Sequence, residues 1–394
     1  MNNTALPFQS LVSSAGGDTL DGLQLKVLLL AGRFEVRGSS SYTLRLAENL
    51  DKHGVMAEIV CCDALSVELE KRVSLGIREY RYLHAPLVGR FVRDFLRRDF
   101  LSDPPDLIHV QSRTMLAEGT WLARKLDRPL VLTLHDYLQP SEQLRFDLQH
   151  GRRVIAVSDS VQDALLKQTG LADELVSVIH GGVDRPTPAE TSSVLDPDHV
   201  PVLGTAGPLE AVKGFPFFLG AAQKVLATGR DVEFLVSGAG PEEINLRRLA
   251  RELDITSRVT FIPNLPDFSD SLSAMDIFCL TSLSQGLGTI MLEAMALGKP
   301  VIATRVGGVD TIVHDNQTGL TVPPADSGRL AERMLELLGD PVRARALGEA
   351  GRRTVRAQFG VEKMVARTAE LYRRVLEKEE RTKYVVQTPL NLAE

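Results

Sequence analysis

No run of apolar residues in this chain reaches the roughly 18–20 needed to cross a bilayer, so no membrane-spanning helix is expected. Cysteine is scarce: Cys61, Cys62 and Cys279 are the only three in 394 residues. That is neither a disulfide framework nor a zinc-ligand spacing, and the adjacent Cys61 and Cys62 read as strand residues rather than a redox pair. The first residues, MNNTALPFQSLVSSAGGDTLDGLQ, lack the basic-then-apolar order of a secretory leader. Sparse thiols without such a leader predict a reducing, cytoplasmic setting. Excess positive charge is missing too. The net charge is −6, which argues against a nucleic-acid partner. No repeat of about 20–50 residues is visible, which argues against a solenoid or propeller.

What is present is an ordinary globular composition, 44% hydrophobic and 24% charged, long enough for two or three domains. Short apolar runs rich in Leu or β-branched residues (LQLKVLLLAG, AEIVCCD, DLIHVQS, PLVLTLHD, RVIAVSDS, LVSVIHGGV) alternate with amphipathic helical stretches. That order predicts βαβ units on a parallel sheet. VDRPTPAETSSVLDPDHVP breaks it with turn formers. The alternation then restarts with PVLGTAG, VEFLVSGAG, RVTFIPN, DIFCLTS, KPVIATRVGG and GLTVPPAD. The expected fold is α/β with two doubly wound, Rossmann-like domains. The divisions are a tail over 1–23, an N-terminal domain over 24–184, a linker over 185–199, a C-terminal domain over 200–370, and a helix and tail over 371–394. In open parallel sheets ligands sit at the carboxyl ends of the strands, so the two domains are expected to face each other across a central cleft.

The segment TSLSQGLGTIMLEAMALG (281–298) carries the most chemistry. A strand leads through a loop poor in bulky side chains into a helix that stops at Gly298. A helix N-terminus offers unpaired N–H groups and a positive pole suited to phosphate. Gly286 and Gly288 let the backbone approach a ligand. Glu293, about one turn into the helix, is placed to accept hydrogen bonds from a ribose diol.

This stretch resembles the donor site of the retaining glycosyltransferases of family 4, which have the GT-B fold. Their signature is two glutamates with seven residues between them, then Ala-Met-Ala and Gly-x-Pro-Val. Here Glu293-Ala294-Met295-Ala296, Gly298, Pro300, Val301 and ATRVGG match it. GPLEAVKG (207–214), VSGAGP (236–241), HGGVD (180–184), RGSSSYTLRLAENL and TLHD (133–136) resemble further family segments, and the likeness spans about residues 25–375. It implies transfer of a sugar from a nucleotide sugar to a hydroxyl acceptor with retention, the nucleotide sugar being a co-substrate and no metal being expected. It implies that Glu293 binds ribose and Lys213 the diphosphate. Gln285 would bind sugar hydroxyls with the amides of Leu287, Gly288 and Thr289, beside Gly286, and the Ile290 amide would lie near the phosphates. Gly38 and Ser39 would close the cleft from the other domain. The residues expected to act on the reaction itself are His135, Lys213 and Gln285. Asp196-Pro197-Asp198 resembles the metal motif of a different transferase fold, but it falls in the linker.

Three family positions differ. Gln285 replaces the first glutamate and loses its charge. Pro208 replaces the diphosphate arginine. Gly181 replaces an asparagine, a change attributed to turn geometry. Arg33 or Arg37 could supply the missing cation. The alternative reading is a non-catalytic GT-B protein that binds a sugar nucleotide or glycan and acts through partners. Finally, PLVGRFVRDFLRRDFLSD (86–103) sets Leu87, Val88, Phe91, Val92, Phe95 and Leu96 on one face, with Arg90, Arg93, Arg97 and Arg98 outside it. Either that face packs on the sheet, or it lies on an anionic membrane and brings a lipid-linked acceptor to the cleft. The second case would make the chain peripheral at the inner face of a membrane.

Overall fold

The computed structural model describes residues 24–35, 38–186, 194–263 and 268–387. The expected tail over 1–23 therefore lies outside the described residues, as does Arg37. In the N-terminal half the strands are β1 (Leu25–Leu30), β2 (Val55–Cys61), β3 (Arg78–Glu79), β4 (Leu107–Val110), β5 (Leu130–Leu134), β6 (Gly151–Ala156) and β7 (Val176–Val178). The helices between them are α1 (Gly38–Asn49), α2 (Leu69–Ser74), α3 (Gly89–Asp99), α4 (Leu116–Leu126) and α5 (Asp159–Thr169). In the C-terminal half the strands are β8 (Val202–Ala206), β9 (Glu233–Ser237), β10 (Val259–Ile262), β11 (Ile277–Leu280), β12 (Val301–Thr304) and β13 (Leu320–Val322). Its helices are α6 (Phe215–Leu226), α7 (Glu243–Glu252), α8 (Ser269–Ser273), α9 (Thr289–Ala296), α10 (Ser327–Gly339) and α11 (Pro341–Gln358), followed by α12 (Val361–Gln387).

The two sheets are parallel throughout, with orders β3-β2-β1-β4-β5-β6-β7 and β10-β9-β8-β11-β12-β13. Helices cover both faces, so central strands such as β4, β5, β11 and β12 are buried along their whole length. This is why they read as continuous apolar runs rather than alternating ones. Strand order reverses between β1 and β4 in one sheet and between β8 and β11 in the other. Loops leaving neighbouring strands part at such a point and open a crevice at the carboxyl edge. The two crevices face each other.

The domain boundaries differ from the expected ones at two places. Val194 and Leu195, assigned to the linker, are buried in the C-terminal core. The Leu195 amide donates to Asp276 Oδ1 at 2.7 Å. Residues 361–370, assigned to the C-terminal domain, begin α12, which returns to the N-terminal domain. Val361, Met364, Val365, Tyr372 and Val375 share one core with β1 and α1. The outgoing and returning chains cross side by side: the Val183 amide donates to the Phe359 carbonyl at 2.9 Å. A Cβ on Gly182 would lie 2.6 Å from Val361 Cα, so only glycine fits this crossing.

On α3 and the turn that leads into it, the apolar face divides. Leu96 is buried and Val92 packs against the core, but Leu87, Phe91 and Phe95 are 81%, 72% and 60% exposed. No helix among the described residues is long and apolar enough to cross a membrane.

Candidate active site

The cleft floor is built from loops that leave the strands at the reversal points. In the C-terminal domain, β8 runs into 207–214 and β11 into 281–288. The first loop is held by backbone packing: a Cβ on Gly238 would lie 2.0 Å from the Gly207 carbonyl oxygen, and one on Gly240 2.5 Å from that of Leu209. Lys213 ends a short turn capped by Gly214, which has a φ of +66° and where a Cβ would lie 2.1 Å from the Thr281 carbonyl oxygen, so both the turn and the packing require glycine. The Thr281 hydroxyl donates to the Lys213 carbonyl at 3.0 Å, tying one loop to the other. The Lys213 ammonium then donates to Gln285 Oε1 at 3.0 Å, and the Ser282 hydroxyl to the same oxygen at 3.1 Å. Gly288, with φ +89°, caps α9, whose first-turn N–H groups lie beyond reach of any intrahelical acceptor.

From the N-terminal domain, β1 leads to Gly38 at the start of α1, and β5 to His135. His135 Nε2–H donates to the Gln111 carbonyl at 3.1 Å, which leaves Nδ1 as the acceptor nitrogen. Burial pushes this ring down to about 4, with the Gln111 carbonyl acting in the opposite sense, so His135 is neutral near pH 7. Its ring meets Tyr42 edge-on, with centroids 5.0 Å apart.

The domains touch. A Cβ on Gly38 would lie 2.6 Å from Thr289 Oγ1, and this contact stands between two cavities. The first, about 330 Å³, is lined by Gly38, Ser39, His135, Lys213, Gln285 and the loop residues Leu287 and Gly288; Thr289 and Ile290 also border it. The second, about 260 Å³, holds Glu293 with Arg45 and Asp184, and shares Gly38, Thr289 and Ile290. One candidate behaves differently. Gly286 is buried: its carbonyl accepts from the Ser158 hydroxyl at 2.7 Å, and a Cβ there would meet the His135 carbonyl at 2.4 Å. It is a seam between domains, and its side-chain vacancy serves protein contact, not a ligand.

The three substituted positions, Gly181, Pro208 and Gln285, all line the first cavity. Gly181 has no positive φ, so turn geometry does not account for it. A Cβ there would sit 3.2 Å from Leu287 Cδ2, so a larger residue needs the end of that leucine to give way by a few tenths of an ångström. Pro208 lines the first cavity. Arg33, one of the two expected substitutes for its missing charge, lies instead beside Asp63, Nε to Oδ2 3.6 Å, and does not border either cavity. Among the described residues, the N-terminal arginine that does border the first cavity is Arg113. It donates to the Tyr137 carbonyl at 2.7 Å and pairs with Glu142 at 3.2 Å. Arg45 is the second cation that sequence reasoning missed. Its Nη2 lies 2.8 Å from Glu293 Oε1 and its Nε 2.7 Å from Asp184 Oδ2.

Two parallel-sheet domains closing on a cleft at their strand ends, with a helix N-terminus and a carboxylate on one wall, define the GT-B architecture. A profile described as glycosyl transferases group 1 matches residues 200–340, and one described as glycosyltransferase family 4 matches residues 36–185. D-inositol 3-phosphate glycosyltransferase 2 of Catenulispora acidiphila is 31% identical over 323 residues, 73% of this chain and 75% of that protein. The chain belongs to the family 4 glycosyltransferases. A GDP-mannose-dependent monoacylated alpha-(1-6)-phosphatidylinositol monomannoside mannosyltransferase of Corynebacterium glutamicum is 37% identical over 183 residues. That match spans 44% of this chain and about half, 47%, of the relative. The crystal structure of Anabaena HepE in complex with UDP and glucose shares the fold, with a TM-score of 0.76 at 21% identity over 89% of this chain and all of that one.

Proposed function

We propose that this protein moves a sugar from a nucleoside-diphosphate sugar to an acceptor hydroxyl with retention of anomeric configuration. The observation that carries this reading is the convergence on one cleft of Glu293, Lys213, Gln285 and the α9 N-terminus from one domain with Gly38 and His135 from the other. The nucleoside lies in the smaller cavity with its ribose on Glu293, and the sugar in the larger one against Gln285 and His135. The bond from sugar C1 to the phosphate oxygen breaks, and its electron pair leaves on the diphosphate. The acceptor oxygen bonds to C1 from the same face, and its proton passes to the departing phosphate oxygen. Lys213 and the α9 N-terminus stabilise that developing charge, the electrostatic contribution that preorganised sites make best. His135, neutral and with Nδ1 as an acceptor, orients a sugar hydroxyl.

The acceptor in this reading is carried by a membrane lipid. Exposed Phe91 and Phe95 on α3 and Leu87 just before it, with Arg90, Arg93, Arg97 and Arg98 beside them, combine an apolar surface with charge complementary to anionic headgroups. The lipid acceptor printed in the name of the mannosyltransferase relative supports the same choice. A second reading, a binding protein without turnover, is favoured by Pro208 and Gln285, which remove one positive and one negative charge from the expected set.

The test begins with calorimetric titration of UDP, GDP and their sugar conjugates, followed by donor-hydrolysis and transfer assays with the product anomer read by NMR. Nucleotide binding with no hydrolysis or transfer from any donor selects the second reading. Co-sedimentation with vesicles containing anionic lipid, lost in Phe91→Ser/Phe95→Ser, tests the acceptor side.

A further inference from the structure

Arg45 lies on α1, in the domain opposite the nucleotide cavity wall. Its side chain is only 14% exposed. Three of its nitrogens are committed: Nη2 to Glu293 Oε1 at 2.8 Å, Nε to Asp184 Oδ2 at 2.7 Å, and Nη1 to the Gly182 carbonyl at 3.4 Å. Glu293 is on α9 of the C-terminal domain, while Gly182 and Asp184 are on the segment that crosses between the domains. A single planar guanidinium thus joins α1, α9 and the crossover. Its rigid fork fixes the orientation of whatever it binds.

We propose that Arg45 is a positioning residue for the donor, one that couples closure of the two domains to recognition of the nucleotide's ribose through Glu293. The inference rests on the donor-site reading above. A carboxylate has about four acceptor directions, so one that is paired with an arginine can also accept from a ribose hydroxyl. Glu293 and Asp184 border the same cavity. Without the guanidinium, two carboxylates would face each other there and would repel a nucleoside diphosphate. With it, the Glu293 carboxylate is held in one orientation, and it is held only when α1 sits against α9. A domain outside the nucleotide-binding sheet thereby contributes to nucleotide affinity.

The experiment is a double-mutant cycle on the affinity of UDP or GDP, whichever the natural protein binds more tightly, read by calorimetry. Small-angle scattering of the ligand-free proteins runs alongside. Arg45→Met keeps the aliphatic stem and removes the charge. It should weaken nucleotide binding by about tenfold or more, enlarge the radius of gyration, and change affinity little in a Glu293→Ala background. Arg45→Lys, which keeps a cation but can reach one carboxylate at a time, should give an intermediate loss. It also carries the test if Arg45→Met fails to fold. Equal losses from Arg45→Met with and without Glu293, or no loss, would overturn the inference. Absence of any UDP or GDP binding by the natural protein would instead remove the donor-site reading on which it rests.

Discussion

A methyl group on Gly38 would lie 2.6 Å from the Thr289 hydroxyl and 3.0 Å from its Cβ, so the first residue of α1 and the first residue of α9 meet with no room for a side chain between them. The contact joins the two helix N-termini across the cleft, where the diphosphate is placed in the proposed reaction. Gly38→Val must therefore hold the domains apart. Donor turnover should fall by about tenfold or more, since misplacement of about 1 Å in an active site costs on the order of a hundredfold. Nucleotide binding should weaken as well, because Arg45 holds Glu293 only when α1 sits against α9. Thr289→Gly in the same chain should restore part of the turnover, because it removes the atoms that clash. Steady-state kinetics on the single and double variants check this, and a double variant no better than Gly38→Val would refute the steric account.

Pro208→Arg should tighten nucleoside diphosphate binding by about tenfold and raise turnover with it, since a charge-assisted bond to phosphate is among the stronger polar contacts. Arg33→Ala should leave both unchanged, because Arg33 sits beside Asp63 and does not line either cavity. Loss of transfer in Arg33→Ala would show that Arg33 swings into the cleft during turnover.

Gln285→Glu restores the family residue, but the geometry links it to the diphosphate cation. The Lys213 ammonium already donates to Gln285 Oε1 at 3.0 Å. A carboxylate there would hold Lys213 more firmly and offset its charge, so free nucleoside diphosphate should bind several-fold more weakly, in line with a charge pair of about 1 kcal/mol. Treating position 285 as a sugar contact alone predicts no change for the free diphosphate, and calorimetry on it separates the two views.

Stability should fall as the solution is acidified, and His109 gives the sign. It is buried beneath the cleft, with Nδ1 2.6 Å from the Tyr372 hydroxyl and Nε2 2.7 Å from that of Thr133. Burial, with a smaller contribution from His135, pushes it down from 6.5 to about 3. Below pH 6.5 the unfolded chain takes up a proton that the folded state refuses until about pH 3, so the unfolded state gains. At pH 5 this amounts to about 2 kcal/mol. Urea unfolding at pH 7.5 and pH 5 should show that loss in the natural protein and a smaller one in His109→Gln. Equal losses would place the pH dependence elsewhere.

The parallel strands, the loop-to-helix junction at α9 and the positions at which Lys213, Gln285 and Glu293 reach the cleft were legible from the sequence alone. Each rests on relations a few residues long. A strand buried on both faces must be apolar throughout, and a loop poor in bulky side chains followed by good helix formers marks the start of a helix. Relations between distant segments were not legible. Arg45 reaches Glu293 across 248 positions, and nothing local to α1 marks one arginine among its polar residues. Gly181 looked like a turn residue until Leu287 was seen against it, and Gly286 like a ligand contact until Ser158 and His135 were seen closing on it. The α3 segment has a helical apolar stripe whichever way it faces, because periodicity records which residues share a side and not what covers that side. The return of α12 to the first domain, which buries Tyr372 against His109, depends on where the chain crosses at Val183 and Phe359. Packing between segments hundreds of residues apart decided these features, since no local pattern encodes which distant surface a helix or loop will meet.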